Sequence, residues 1–242
     1  MESNKIISKV DELLKSEGLN IQDFIAIYAT QAPSRLNELF RLNEEDHLHF
    51  VEIYDNICKT KKFNTTTTEK GKLLEDLTYI LFHGSKKTLL TARKNCRTTT
   101  NEIDLLLEWN KFARQLNINN IYPCFGDSFI CECKNYQGPV AVTYVGKFFS
   151  LLTATQTTFG VMVAWDGISG PGEWNAAKGL TKKIALSTQK YIISIDKNDL
   201  KKIYDNQDNI FNIIHNKYTA LKNDINYEKD IEPHEAENEM MQ

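Results

Sequence analysis

The chain has 242 residues, 41% hydrophobic and 25% charged, the balance of a water-soluble globular protein with one medium domain and an appendage, or two small domains. No apolar run approaches the roughly 20 residues that span a bilayer, and Met1–Lys5 lacks the basic start and apolar core of a signal peptide. Five cysteines without framework spacing point to a reducing, cytoplasmic compartment, and a net charge of −3 does not by itself suggest a nucleic-acid partner.

Residues 1 to about 62 read as helices. Ser3 caps a first, with Ile6, Ile7, Val10, Leu13 and Leu14 as its stripe and Gly18 at its end. Ile21 to Tyr28 forms a second, stopped before Pro33. Ser34 caps a third through Leu36, Leu39 and Phe40. Asn43, with Asp46 three residues on, caps a fourth through Leu48, Val51, Ile53, Tyr54 and Ile57. Together they predict a helical N-terminal subdomain, residues 1–64. His47 and His49 stand two apart on a helix and share no face, so they read as surface or boundary histidines rather than metal ligands.

Lys59 to Thr68 reads as a basic, threonine-rich linker. One of its threonines caps a helix from about Glu69 to Phe82, with Glu75 among the apolar Leu73, Leu74, Leu77, Ile80 and Leu81. Strands over Lys87–Lys94 and Glu102–Trp109 follow, with a polar turn between them at Asn95–Asn101. A long polar connection, Asn110–Asp127, leads to a strand at Phe129–Asn135 and a helix at Val140–Thr155. Then come a buried strand to Trp165, a loop Asp166–Gly172, a helix Glu173–Leu186, a strand Lys190–Ile195 and a helix Lys197–Tyr204. Strands alternating with helices predict an α/β domain over residues 65–205, a hairpin followed by a parallel part. Residues 206–242 hold a last helix, Asp208–Leu221, and an acidic tail expected to be disordered.

Charge is unevenly spread. From Asp224 to Gln242 seven acidic residues face one lysine, a net −6 that leaves +3 for the rest. Between Lys59 and Arg97 ten basic residues face three acidic ones. Such a zone either attracts phosphates or is a solvated lysine-rich surface.

The strand Phe129–Asn135 carries the chemistry. Alternation puts Glu132 and Lys134 on one face and Cys131 and Cys133 on the other. Two ionised groups entering an apolar strand call for partners. Asp104 enters the neighbouring apolar strand, although Glu102, Asp104 and Glu108 share a face and spacing does not force the choice. Hydrolysis of a phosphodiester needs charge neutralised at the phosphate and hydroxide made near pH 7, which divalent cations provide. Magnesium takes oxygen ligands, commonly one or two carboxylates. Asp104, Glu132 and Lys134 fit that need, with the backbone carbonyl of Cys133 as a further ligand.

The run Asn95-x-Arg97-Thr98-x-x-Asn101-Glu102-Ile103-Asp104-Leu105-Leu106, followed by Glu132-x-Lys134, resembles the PD-(D/E)xK nuclease superfamily. The stretch Ala176–Leu200 is similar to its Mrr-like restriction endonuclease group. The likeness covers about Glu69 to Tyr204; Ile103 stands where the superfamily has proline, and the Mrr-like group often has Gln at the position of Glu132. The resemblance implies a restriction-endonuclease-like core, a mixed central sheet flanked by helices. It implies metal at Asp104 and Glu132, Lys134 positioning or activating water, and Glu75 as the helix glutamate assisting metal or water. It implies a Mg2+-dependent endonuclease, with Mn2+ as substitute, acting on double-stranded DNA in restriction or defence, with repair as an alternative. Arg97 and Lys147 are candidate DNA contacts, and a homodimer or a partner protein could use the N-terminal helices.

Competing readings remain. Asp104, Glu132 and Lys134 could be a cross-strand ion-pair network, the protein a non-catalytic nucleic-acid or protein interaction module, or the substrate RNA. Cys124, Cys131 and Cys133 lack the further ligands of a zinc site, and Cys133 lacks a histidine partner for nucleophilic work. The loop Asp166–Gly172 is no P-loop, since no Gly-Lys-Ser/Thr follows. Trp109, Trp165 and Tyr136 read as packing residues, with Tyr136 the best placed for contact with a base.

Overall fold

Threonine and glutamate three residues apart make a reciprocal cap, and the helix that carries Glu75 starts on one. In this computed structural model, which describes residues 2–31, 38–62, 66–84, 89–97, 102–170 and 176–223, Thr66 caps the helix Thr67–Phe82. Its hydroxyl accepts the Glu69 N–H at 3.3 Å, and Glu69 accepts the Thr66 N–H at 3.1 Å. In chain order the helices are α1 (Glu2–Ser16), α2 (Ile21–Gln31), α3 (Glu44–Lys62), α4 (Thr67–Phe82), α5 (Lys111–Gln115), α6 (Val142–Ala154), α7 (Ala176–Thr188), α8 (Lys197–Tyr204) and α9 (Ile210–Lys222). The strands are β1 (Leu90–Arg97), β2 (Glu102–Trp109), β3 (Ser128–Lys134), β4 (Phe159–Ala164) and β5 (Tyr191–Ile195).

The five strands form one mixed sheet in sequence order. β1, β2 and β3 pair antiparallel, and β3, β4 and β5 pair parallel. The α/β class and the hairpin followed by a parallel part are as the sequence predicts. β4, buried at every position, lies between β3 and the edge strand β5. On one face α3, α4, α8 and α9 bury Phe50, Ile57, Leu74, Leu77, Leu200 and Phe211 against Leu105, Cys131, Val161 and Ile193. On the other, α6 and α7 bury Val145, Phe148, Leu152 and Ile184 against Ile130, Met162 and Ile192.

Several boundaries differ from the sequence reading. α1 begins at Glu2, so Ser3 lies inside it rather than capping it. Asn43 does cap α3, accepting the Asp46 N–H at 2.8 Å, but the helix continues through the expected linker to Lys62. α3 contributes Phe50, Ile53, Tyr54 and Ile57 to the core of the sheet, so that core does not divide at residue 64. His47 lies at a boundary, its Nε2 3.0 Å from the carbonyl of Ile203 on α8. Of the third predicted helix, Ser34 and Leu36 lie outside the described residues, while Phe40 is buried in the main core. Of the strand expected over Lys87–Lys94, Lys87 and Thr88 lie outside the described residues, and β1 starts at Leu90 and runs on to Arg97, because it pairs with β2 as far as Arg97 opposite Glu102. The connection Asn110–Asp127 is folded: Asn110 caps α5, two 3₁₀ turns follow, and Ala113, Ile118, Tyr122 and Phe125 are buried. The end of the 166–172 loop, the start of the next predicted helix and the acidic tail lie outside the described residues.

Candidate functional site

Hydrogen bonding between β2 and β3 runs from Glu108 opposite Ser128 to Leu105 opposite Cys131 and stops there. The next residues would be Asp104 and Glu132. Instead of a backbone ladder, the Asp104 carboxylate fills the gap: its Oδ2 accepts the Cys133 N–H at 2.7 Å. On β1 the residue facing Asp104 is Asn95, set in a left-handed conformation with φ 51° between the pairs Lys94–Leu105 and Cys96–Ile103. Asparagine tolerates that conformation better than most residues. Leu105 and Ile103, two apart on β2, lie in the cores on opposite faces of the sheet. Asp104 therefore sits at the point where the regular alternation of β2 breaks.

Spacing left three acids on β2 open, and the structure separates them. Glu102 is exposed, Glu108 pairs with Arg93 at 3.5 Å, and Asp104 reaches β3. On β3, Glu132 and Lys134 form an ion pair with each other, their side chains only 17% and 19% exposed. Cys131 and Cys133 face the opposite core and are buried. The Cys133 thiol donates to Thr78 Oγ1 at 3.3 Å, which docks α4 against β3. One helical turn earlier, Glu75 lines a pocket with Lys94, Asp104, Leu105 and Cys133. Glu75 thus reaches the gap from the α4 side, while Glu132 and Lys134 lie on the α6 side.

Three carboxylates, those of Glu75, Asp104 and Glu132, crowd this half-buried gap and repel one another, with Lys134 opposing them. Burial first, then the neighbouring Asp104, hold the carboxyls of both Glu75 and Glu132 above their ordinary pKa. Burial also raises Asp104, outweighing the Cys133 N–H bond and the Lys134 charge that favour its ionised form. Burial alone would lower Lys134, but Glu132 beside it, their hydrogen bond and Asp104 leave it raised. Lys134 pairs normally; Glu132 does not show the lowering such a pair brings, because burial and Asp104 outweigh it. Lys134 is accordingly a firmly charged donor.

The oxygen-rich donor set suits a hard divalent cation, whose charge would relieve this crowding. The Lys134 carbonyl accepts the Trp165 N–H, just past the end of β4, at 3.3 Å. Alternation therefore directs the Cys133 N–H and carbonyl together toward β2, where a carbonyl ligand would be needed. Among the described residues no three His, Cys, Asp or Glu side chains form a metal-holding group. A cation here would take two carboxylates, a carbonyl and solvent or substrate oxygens.

The remaining candidates fall around this centre. Arg97 is exposed, opposite Glu102 and two residues beyond the Asn95–Asp104 position. Lys147 is exposed on α6 with its Nζ 5.6 Å from the Tyr144 ring centroid. Lys94, counted in the sequence only as part of a basic zone, belongs to the pocket itself; it pairs with Asp76 at 2.7 Å and lies 4.2 Å from the Tyr79 ring centroid. Hairpin register would have found it, since Lys94 stands next to the residue that faces Asp104. All five cysteines are free. Cys124 comes within 3.8 Å of His215 Nδ1, but burial pushes its thiol up to about 12, which keeps it protonated. No family model matches the chain, and no curated protein sequence does. No helix among the described residues is long and apolar enough to cross a membrane.

Proposed function

We propose that the protein is a metal-dependent nuclease with a restriction-endonuclease-like core, hydrolysing phosphodiester bonds of DNA. The observation that carries this reading is the gap between β2 and β3, where Asp104 takes the Cys133 N–H beside the Glu132–Lys134 pair. An ion-pair network built for stability alone has no need to open a sheet or to gather more carboxylates than cations. Asp104, Glu132 and the Cys133 carbonyl would hold Mg2+ or Mn2+. When bound, such an ion polarises the phosphate and lowers the pKa of water.

The chain's own groups supply the rest. Lys134, held charged, orients an attacking water or neutralises a phosphate oxygen and is not a general base. Glu75, lining the same pocket as Asp104, would assist the metal or the attacking water from the α4 side. Arg93, Lys94 and Arg97 on β1 give the approaching backbone a basic strand. A role in restriction or defence rests on the family resemblance, and repair is the other setting for this chemistry. Exposed Val10, Leu13, Ile21, Phe24 and Ile27 on α1 and α2 are where a second copy or a partner protein would attach.

Plasmid cleavage in Mg2+ tests the reading. Asp104→Ala and Glu132→Ala should each slow cleavage by at least about 10²-fold, the scale of losing one preorganised electrostatic group, with far-UV circular dichroism unchanged. Calorimetric titration with Mn2+ should show a site in the wild type that Asp104→Ala lacks. Full metal-dependent cleavage by Glu132→Ala would overturn the assignment, and absence of any metal site would favour a non-catalytic binding module.

A further inference from the structure

Past Lys134 the chain continues on the same face into Tyr136, which packs against the core shared with α6. Its ring meets Tyr144 from the first turn of α6, with centroids 5.1 Å apart and planes inclined at 46°. Burial and a hydrogen bond to Tyr144 keep the Tyr136 phenol protonated. Lys147 stands over Tyr144 from one turn further along α6. Both tyrosines are half-buried, so part of each remains accessible, and Lys147 is exposed. Exposed Gln137, Val142 and Thr143 surround them.

The turn that presents Tyr136 is fixed at both ends. Asn135 donates to the Lys70 carbonyl at 2.8 Å. The Gly138 N–H donates to Asp166 at 3.1 Å, and Asp166 in turn pairs with Lys197 at 3.1 Å. A packed pair of aromatic rings with a cation over one of them therefore lies beside the Glu132–Lys134 pair.

We propose that Tyr136, Tyr144 and Lys147 form a nucleotide subsite, in which a base stacks on the tyrosine pair and the adjoining phosphate meets Lys147. The subsite rests on the phosphodiesterase reading and narrows its substrate. A base reaches these rings only when it is out of its own helical stack. The ligand class is therefore an unpaired nucleotide, in a single strand or in a locally opened duplex. Stacking on tyrosine is tolerant of sequence, because every base offers a π-face, while Lys147 adds a salt-dependent contact to phosphate.

Fluorescence anisotropy without metal, followed by cleavage in Mg2+, tests this with three DNA probes of one sequence: a single strand, a paired duplex and a duplex with one unpaired base. The single strand and the unpaired-base duplex should bind about tenfold more tightly than the paired duplex. Tyr144→Leu should erase that preference, and Tyr144→Phe should keep it. Lys147→Ala should weaken binding to all three probes and lower the salt slope by about one. Equal wild-type affinity for paired and unpaired probes would overturn the subsite, as would a folded Tyr144→Leu protein with wild-type affinity for them. If Tyr144→Leu does not fold, an unchanged salt slope in Lys147→Ala decides against it. Unpaired-probe binding without cleavage by the wild type would sink the hydrolytic reading and leave the subsite standing. Cleavage with unaltered binding by Tyr144→Leu would do the reverse.

Discussion

Glu75 and Lys134 sit in one electrostatic field and should respond to substitution with opposite signs. Glu75 has a raised pKa, so the folded protein holds its proton more tightly than the unfolded chain does. Its favourable contribution is fully present below the unfolded glutamate value, about 4.3, and is lost as pH rises through the higher folded value. Glu75→Gln removes a carboxylate that is repelled at neutral pH. In metal-free urea unfolding it should be more stable than the wild type at pH 8, with the difference vanishing as pH falls toward 4. A Glu75→Gln protein less stable than wild type at pH 8 would mean that Glu75 has a cationic partner strong enough to hold it ionised. Lys134→Met takes away the cation paired with Glu132 and near Asp104. Breaking a sheltered pair strands the remaining charge, and with both side chains still partly exposed the cost should be about 2 kcal/mol at pH 8. That cost should shrink as the carboxylates take up protons near pH 4, and a loss independent of pH would point to lost packing instead.

At the scale of elements, what the sequence made legible followed from period. α8 and β2 lie where their spacing predicts them, because alternation and caps are local signals. The buried set within residues 110–127 was hidden, because Ala113, Ile118, Tyr122 and Phe125 follow neither period and stand among asparagines and turns. The choice of Asp104 over Glu102 and Glu108 was equally hidden, since it depends on where pairing between β2 and β3 ends, and that is set in three dimensions. The placement of Tyr144 against Tyr136 depends on how closely α6 approaches the sheet. Gly160 on β4 permits that approach: a Cβ there would lie 2.8 Å from the Phe148 ring and 3.0 Å from Leu152. Both neighbours belong to α6, so Gly160→Ala should push the helix away and cost about 1–3 kcal/mol, the usual range for overpacking. Thermal unfolding measures the loss. A neutral Gly160→Ala would mean that Phe148 can turn aside without moving the helix.

Over the whole molecule, burial is concentrated well away from the N-terminus. Phe211 of α9 meets Phe40, Phe82, Trp109, Tyr122 and Phe125 with ring centroids 5.0 to 6.0 Å apart, joining the last helix to α4, β2 and the folded connection. Truncating such a ring leaves a cavity that close-packed neighbours fill poorly, so Phe211→Ala should cost about 3–5 kcal/mol. α1 and α2 are built differently. None of their described side chains is buried, Leu13 is 65% exposed, and one tie to the remainder is the Gln22 amide donating to the Gln115 carbonyl at 3.2 Å. An exposed hydrogen bond of that kind is worth about 1 kcal/mol at most. With no described side chain of α1 or α2 buried, deleting residues 1–31 should lower the free energy of urea unfolding much less than Phe211→Ala does and leave metal-dependent cleavage in place. The deletion also removes exposed Val10, Leu13, Ile21, Phe24 and Ile27, so an oligomer held by these side chains should dissociate, as sedimentation would reveal. A deletion as costly as Phe211→Ala would instead make α1 and α2 part of the cooperative unit, stabilised from outside the single chain.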